Sequence, residues 1–212
     1  MTGSAAGPGH DDRRPRLTVL SGPTAVGKGT VVGRLRETRP EVFVSVSATT
    51  RPARPGEVDG VHYLFVDDAE FDRLIADGEL LEWAVVHNSY RYGTPREPVR
   101  AALAAGRPAI LEIDLQGARQ VRQACDPVQG AGGIEPADVQ YVFLMPPSWD
   151  EMVRRLVGRG TESAEERERR LTTARAEMLA ADEFDHIVVN TEIDQAVAEL
   201  VVLLGLPAQA GR

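Results

Sequence analysis

The sequence predicts an α/β fold, a parallel sheet core flanked by helices on both faces. Three observations carry this. Short apolar runs alternate along the chain with segments of helical pattern. Several of those segments open on a polar residue followed three places later by a glutamate, the spacing of a capping box. A glycine-rich turn directly follows the first apolar run and leads into a helix. The 212 residues suit one compact domain.

Leu17–Ser21 is an apolar run before a glycine and reads as a buried strand. Thr30–Glu37 reads as a helix, and Glu41–Ser47 as a second strand with bulky residues at alternate positions. Arg51–Gly60 holds two prolines and two glycines and is loop. His62–Val66 is a short strand. Asp67 with Glu70 opens a helix that Gly78 closes. Thr94 with Glu97 repeats that pattern, with Pro95 as first helical residue and Gly106 as terminator. Pro108–Ile113 is a strand, Ala118–Gln123 a short helix, and Asp126–Pro136 a surface loop. Val139–Met145 is a strand. Ser148 with Glu151 caps a helix ending near Gly158, and Ser163 with Glu166 caps another. His186–Asn190 is the last strand and Asp194–Leu204 the last helix.

Composition narrows the function classes. Hydrophobic residues make up 42% and charged residues 26%, as in an ordinary soluble domain. Lys and Arg number 24 against 32 Asp and Glu, a net charge of −8. That balance argues against non-specific binding to nucleic acid or to an anionic membrane, though a locally basic site remains open. The single cysteine, Cys125, excludes an intramolecular disulfide and a cysteine metal cluster. His10, His62, His87 and His186 share no metal-ligand spacing. The longest apolar stretch, Ala196–Leu206, is interrupted by Glu199 and Gly205 and is too short to span a bilayer. Residues 1–15 lack the apolar segment of a secretory signal and read as a disordered tail, so a cytoplasmic location is expected.

Two segments carry chemistry. Gly22-Pro23-Thr24-Ala25-Val26-Gly27-Lys28-Gly29-Thr30 matches the phosphate-loop spacing, in the strand–loop–helix context that the motif requires. Gly27 and Gly29 are expected to allow backbone conformations closed to other residues, so that successive N–H groups converge on one anion. The helix N-terminus adds its positive end and Lys28 a full charge. A plain glycine-rich turn with a surface lysine would not reproduce order, spacing and context together. The second segment, Ser47 to Tyr63, puts Arg51 and Arg54 three residues apart in a loop beyond a strand end. Their planar forks suit phosphate oxygens; taken alone, the pair is equally compatible with a solvated charged loop.

Together these segments resemble guanylate kinase. The resemblance continues through Leu81-Glu82-Trp83-Ala84, Tyr92-Gly93-Thr94, Leu111 to Gly117, Arg155 to Glu162, Arg170-Leu171 and Val188-Val189-Asn190, covering roughly residues 16–205. It implies a P-loop nucleoside-monophosphate kinase fold in three parts: a core carrying the loop 22–30, a GMP-binding region at about 47–95, and a helical lid at about 147–172. The domain would span 16–206, with 207–212 a tail. The implied reaction moves the γ-phosphoryl of ATP to GMP, giving ADP and GDP, with Mg2+ accompanying ATP and dGMP a candidate acceptor. A non-catalytic guanylate-kinase-like interaction domain is the alternative, disfavoured by the intact Lys28 and arginines.

The resemblance also assigns residues. Gly22, Pro23, Thr24, Ala25, Val26, Gly27, Lys28, Gly29 and Thr30 would hold ATP, with Asn190 beside the adenine. Arg51, Arg54 and Tyr63 would hold the acceptor phosphate. Ser47, Glu82, Thr94 and Asp114 would surround guanine, with Tyr92 in the same wall. Lys28, Arg51, Arg155, Arg159 and Arg170 would act on the phosphoryl group in transit. Guanine offers donors at N1 and N2 that a carboxylate such as Glu82 accepts, and adenine would leave that carboxylate unpaired. The hydroxyls of Ser47 and Thr94 are suited to donate to guanine O6. The sequence departs from the pattern at Gly29, where Ser or Thr usually follows the lysine as a magnesium ligand. The GKGT ending resembles adenylate kinases and leaves Thr30 as an auxiliary metal ligand, Mg2+ being held mainly through phosphates and water. Thr24-Ala25 replaces Ser-Gly, Glu112 replaces an Asp, and 126–137 is longer than usual.

Overall fold

The structure, a computed structural model, describes residues 16–86, 90–126, 128, 133–157 and 164–207. In chain order the elements are β1 (Leu17–Ser21), α1 (Lys28–Thr38), β2 (Phe43–Val44), β3 (Ala48–Thr49), β4 (Leu64–Phe65), α2 (Asp68–Ala76), β5 (Leu80–Val86), β6 (Tyr90–Pro95), α3 (Arg96–Ala104), β7 (Ala109–Glu112), α4 (Leu115–Ala124), β8 (Val139–Met145), α5 (Trp149–Val157), α6 (Ala164–Leu179), β9 (His186–Val189) and α7 (Ile193–Leu203).

Five strands form a parallel sheet in the order β2-β7-β1-β8-β9. β1 is central and buried along its whole length. Its alternate side chains serve both faces, as the strand period of two demands. Leu20 joins Val31, Leu35, Ile110, Val197 and Leu200 under α1 and α7. Leu17 and Val19 join Val99, Leu111, Ala118 and Val121 under α3 and α4. The buried Thr18 hydroxyl accepts from Gln140 Nε2 at 2.8 Å, and the same amide donates to the Leu203 carbonyl at 2.7 Å, so the polar groups of Thr18 and Gln140 are paired inside this layer.

A second sheet has the order β4-β3-β6-β5 and mixed direction. Ala48, Phe71, Leu74 and Leu80 form its own small core against α2. A further cluster, Met152, Leu156 and Ala174 with Trp149 and Leu171, joins α5 to α6.

Several expected boundaries hold with their physics. The Asp67 carboxylate accepts from the Glu70 amide at 2.8 Å, and Ser148 Oγ from the Glu151 amide at 3.2 Å. Gly78 and Gly106 take φ of 64° and 77° after their helices. The capping expectations at Ser163 and Gly158, the tail 1–15 and residues 127 and 129–132 of the 126–136 loop lie outside the described residues. Two expectations are corrected. The strand expected over Glu41–Ser47 is β2 alone, after which the chain crosses into the other sheet as β3. Thr94 does not cap α3: Pro95 occupies the cap position with no side-chain bond, and the Thr94 hydroxyl is engaged elsewhere.

The β5–β6 hairpin was not foreseen. In β5, Leu80 packs into the small core and Leu81 into the main one, across a register shift between Leu80 and Glu82, so the alternation that signals a strand is lost. In β6, Gly93 and Pro95 read as strand breakers.

Candidate active site

The phosphate loop leaves the carboxyl end of β1, beside the ends of β7 and β8, where ligands bind in sheets of this kind. Gly22 has φ 152°, and a β-carbon there would lie 2.4 Å from the Leu144 carbonyl oxygen, so the loop turns against β8 only with glycine. Gly27 has φ 100° and sits before α1, where a β-carbon would meet Asn190 Nδ2 at 2.8 Å. Gly29 lies inside α1 and needs no left-handed backbone, contrary to expectation. The second special conformation falls on Ala25, with φ 63°. A left-handed residue with a β-carbon costs about 1 kcal/mol, so the loop tip must be held from outside.

Several side chains hold it. Lys28 Nζ donates to the Gly22 carbonyl at 2.6 Å, and Asn190 Nδ2 and Arg155 Nη1 both donate to the Val26 carbonyl, at 2.8 and 3.0 Å. The Arg155 guanidinium is steadied by Glu151 at 2.8 Å. Burial lowers the Lys28 pKa, against the raising pull of Glu112, Glu177 and Asp114. Ala25, Gly27, Thr30, Arg155 and Asn190 line a cleft of 560 Å³ beside the loop. Arg170 lies part-buried on α6. Arg159 lies outside the described residues.

On the second sheet the Arg51 side chain is buried and each of its nitrogens has a partner. Nε donates to the Tyr92 hydroxyl at 3.1 Å, Nη1 to the Pro52 carbonyl at 2.7 Å, and Nη2 to Glu57 Oε1 at 2.9 Å. Its guanidinium lies 5.3 Å from the centre of the Tyr63 ring, which meets Tyr92 edge-on. Glu57 raises the Arg51 pKa above its ordinary value and is itself lowered by Arg51 and by the Arg54 amide. Arg54 is exposed at the same turn, and Ser47 stands part-buried just before β3.

Further along that sheet Glu82 faces Thr94 across β5 and β6, both buried. The Thr94 hydroxyl donates to Glu82 Oε1 at 2.6 Å, so its proton is not directed at a ligand atom as the sequence suggested. Burial raises the Glu82 pKa to about 7, with Thr94 pulling it down and Asp114 pushing it up. Asp114 caps α4 by accepting from the Gly117 amide at 2.7 Å. A β-carbon on Gly117 would lie 2.9 Å from Glu82 Oε2, so the carboxylate looks onto the N-terminus of α4.

The structure therefore brings Arg51, Tyr63 and Tyr92 into one cluster, Glu82, Thr94 and Asp114 into a second, and Lys28, Arg155 and Asn190 into a third at the phosphate loop. Sequence reasoning gave no role to three carboxylates at these clusters, Glu112 being noted only as a departure from the family pattern. Glu57 was visible three residues after Arg54. Glu112, at the end of β7, has an oxygen 3.5 Å from where a Gly29 β-carbon would stand. Glu177 on α6 gave no sequence signal.

Comparison with known proteins places the chain in a family. The sequence profile described as guanylate kinase matches residues 14–205. A guanylate kinase of Thermobifida fusca is 58% identical over 96% of this chain and 97% of its own. One from Streptomyces coelicolor is 57% identical over 91% of each chain. The crystal structure of guanylate kinase from Anaplasma phagocytophilum superposes with a TM-score of 0.67 at 33% identity, covering 90% of this chain and 84% of that one. A profile match across nearly the whole domain and close identity over full-length relatives leave one assignment: the chain belongs to the guanylate kinase family.

Proposed function

We infer that the chain transfers the γ-phosphoryl group of ATP to GMP, producing ADP and GDP. The observation that carries this reading is the buried Glu82 carboxylate, presented at the N-terminus of α4 on the same sheet as the Arg51–Tyr63–Tyr92 cluster. One subsite suits the N1–H and N2 amine of guanine, the other the 5′-phosphate of GMP. Ser47 and Asp114 complete the base pocket in this reading, and Arg54 the phosphate grip. Gly22 to Thr30 and Asn190 take the donor nucleotide in the cleft beside the loop.

A GMP phosphate oxygen attacks the γ-phosphorus, and ADP leaves as the bond from that phosphorus to the β–γ bridging oxygen breaks. Such transfer needs placement and charge stabilisation more than covalent help, so no general base is assigned. Lys28 and the loop amides hold the donor phosphates, Arg51 fixes the acceptor, and Arg155, Arg159 and Arg170 offset charge on the group in transit. Magnesium, when bound with ATP, supplies further neutralisation of the phosphate oxygens. The Thr30 hydroxyl, which lines the cleft, and the Glu112 carboxylate, close to Gly29, would offer it hard oxygen donors. The three-part division into core, acceptor region and lid is the reading supported by the separate apolar clusters. Among the described residues no helix is long and apolar enough to cross a membrane. The cytoplasm, where both nucleotides are available, is the compartment proposed for the reaction.

The test is ADP formation from Mg-ATP with GMP, dGMP, AMP, UMP or CMP as acceptor. Turnover with the guanine nucleotides alone is expected, and Lys28→Ala is expected to lose at least about a hundredfold in kcat. No turnover with any acceptor, from folded protein, would favour the non-catalytic interaction domain instead.

A further inference from the structure

The phosphate loop presents a mechanical problem. Its tip, Thr24 and Ala25, is exposed and carries the left-handed Ala25, and no core packing restrains it; the next side chain, Val26, is the one that is buried. Pro23 has no N–H, so Thr24 supplies the first amide after Gly22. That amide donates to Glu177 Oε2 at 2.9 Å, across 153 residues of sequence. Among the described residues the other side chains bonded to the loop main chain, Lys28, Asn190 and Arg155, all act on carbonyls.

We propose that Glu177 is a positioning residue that fixes the tip of the phosphate loop from helix α6 and so sets its fit to the donor triphosphate. Glu177 lies in the last turn of α6, the helix that carries Arg170 and packs on α5 through Met152, Leu156 and Ala174. α5 reaches the same loop through Arg155. The two helices thus grip the loop on either side of Ala25, one at the Thr24 amide and one at the Val26 carbonyl. Any movement of α6 is passed to the donor site through the carboxylate. The hydrogen bond, rather than the negative charge, is what the role requires, because a second anion beside the triphosphate has only repulsion to offer it.

This inference rests on the kinase reading, so turnover of the unaltered protein is measured first; its absence would defeat that reading and not this one. KM for ATP and for GMP, kcat and the thermal midpoint are then compared for the unaltered protein, Glu177→Ala and Glu177→Gln. Loss of one hydrogen bond to a charged acceptor should raise the ATP KM of the alanine variant by about tenfold, with the GMP KM moving less than about twofold. Glutamine keeps an acceptor oxygen in the same place and should recover most of the loss. An alanine variant with unchanged ATP KM, an equal rise for both substrates, or a glutamine variant as weak as the alanine one would each overturn the proposal.

Discussion

At the scale of single residues, the most informative group is Glu82. Its carboxyl is lifted from 4.5 to about 7 chiefly by burial. An acid whose pKa is higher folded than unfolded binds more protons in the native state between the two values. Stability of the ligand-free protein therefore falls as pH rises from about 4.5 to about 7. In the proposed function, recognition of guanine by Glu82 runs the other way, because only the ionised carboxylate accepts from N1 and N2. The GMP KM should rise about tenfold when pH drops one unit below the Glu82 pKa, while the ATP KM should not follow it. The acceptor phosphate has its own ionisation near about pH 6. Glu82→Gln keeps that contribution and removes the carboxylate's, so the difference between the two profiles isolates Glu82. Coincident profiles would remove it from base recognition. Much of this site was legible from residue types: a carboxylate before a tryptophan, arginines three apart, lysine in a glycine-rich turn. What was not legible was how these groups spend their hydrogen bonds on one another. Thr94 donates to Glu82, Asp114 caps α4 and Glu57 holds Arg51, and such pairings depend on how the loop and strands fold back on one another, which residue type alone does not signal.

At the scale of elements, the parallel core could be read because its strands are apolar and several helices have local start or stop signals. Of the second sheet only β4 was read, within His62–Val66, because the other strands are short or interrupted and their register is set by tertiary packing. Gly93 shows why an apparent breaker belongs in a strand. It pairs with Ala48 on one side and Trp83 on the other. A β-carbon there would meet the Glu82 carbonyl oxygen at 2.9 Å and the Trp83 β-carbon at 3.0 Å. Backbone cannot yield as a flexible side chain would, so Gly93→Ala should cost about 1–3 kcal/mol. Denaturant unfolding would measure it, and a midpoint equal to that of the unaltered protein would show that the hairpin tolerates the close approach.

At the scale of the whole molecule, the proposed acceptor site and the proposed donor site stand on different sheets, and helix α4 joins them. Its N-terminus faces Glu82, and its capping residue Asp114 follows β7 of the core. Its middle clasps β5 through Gln120, whose amide accepts from the Trp83 N–H at 3.0 Å and donates to the Trp83 carbonyl at 2.8 Å. β5 is an edge strand, so these two bonds also satisfy backbone groups that would otherwise be open to another chain. On the far side Arg119 and Arg122 bind Glu183, just beyond α6. Gln120→Ala cuts the joint without touching either ligand site. Two hydrogen bonds contribute about 1–3 kcal/mol together. If α4 fixes Glu82 relative to the core, part of that loss must appear as a GMP KM raised about three- to tenfold, with the ATP KM unmoved. Lowered stability with both KM values intact would mean that the acceptor sheet keeps its geometry unaided, and that α4 supports the fold without setting the distance between the two nucleotides.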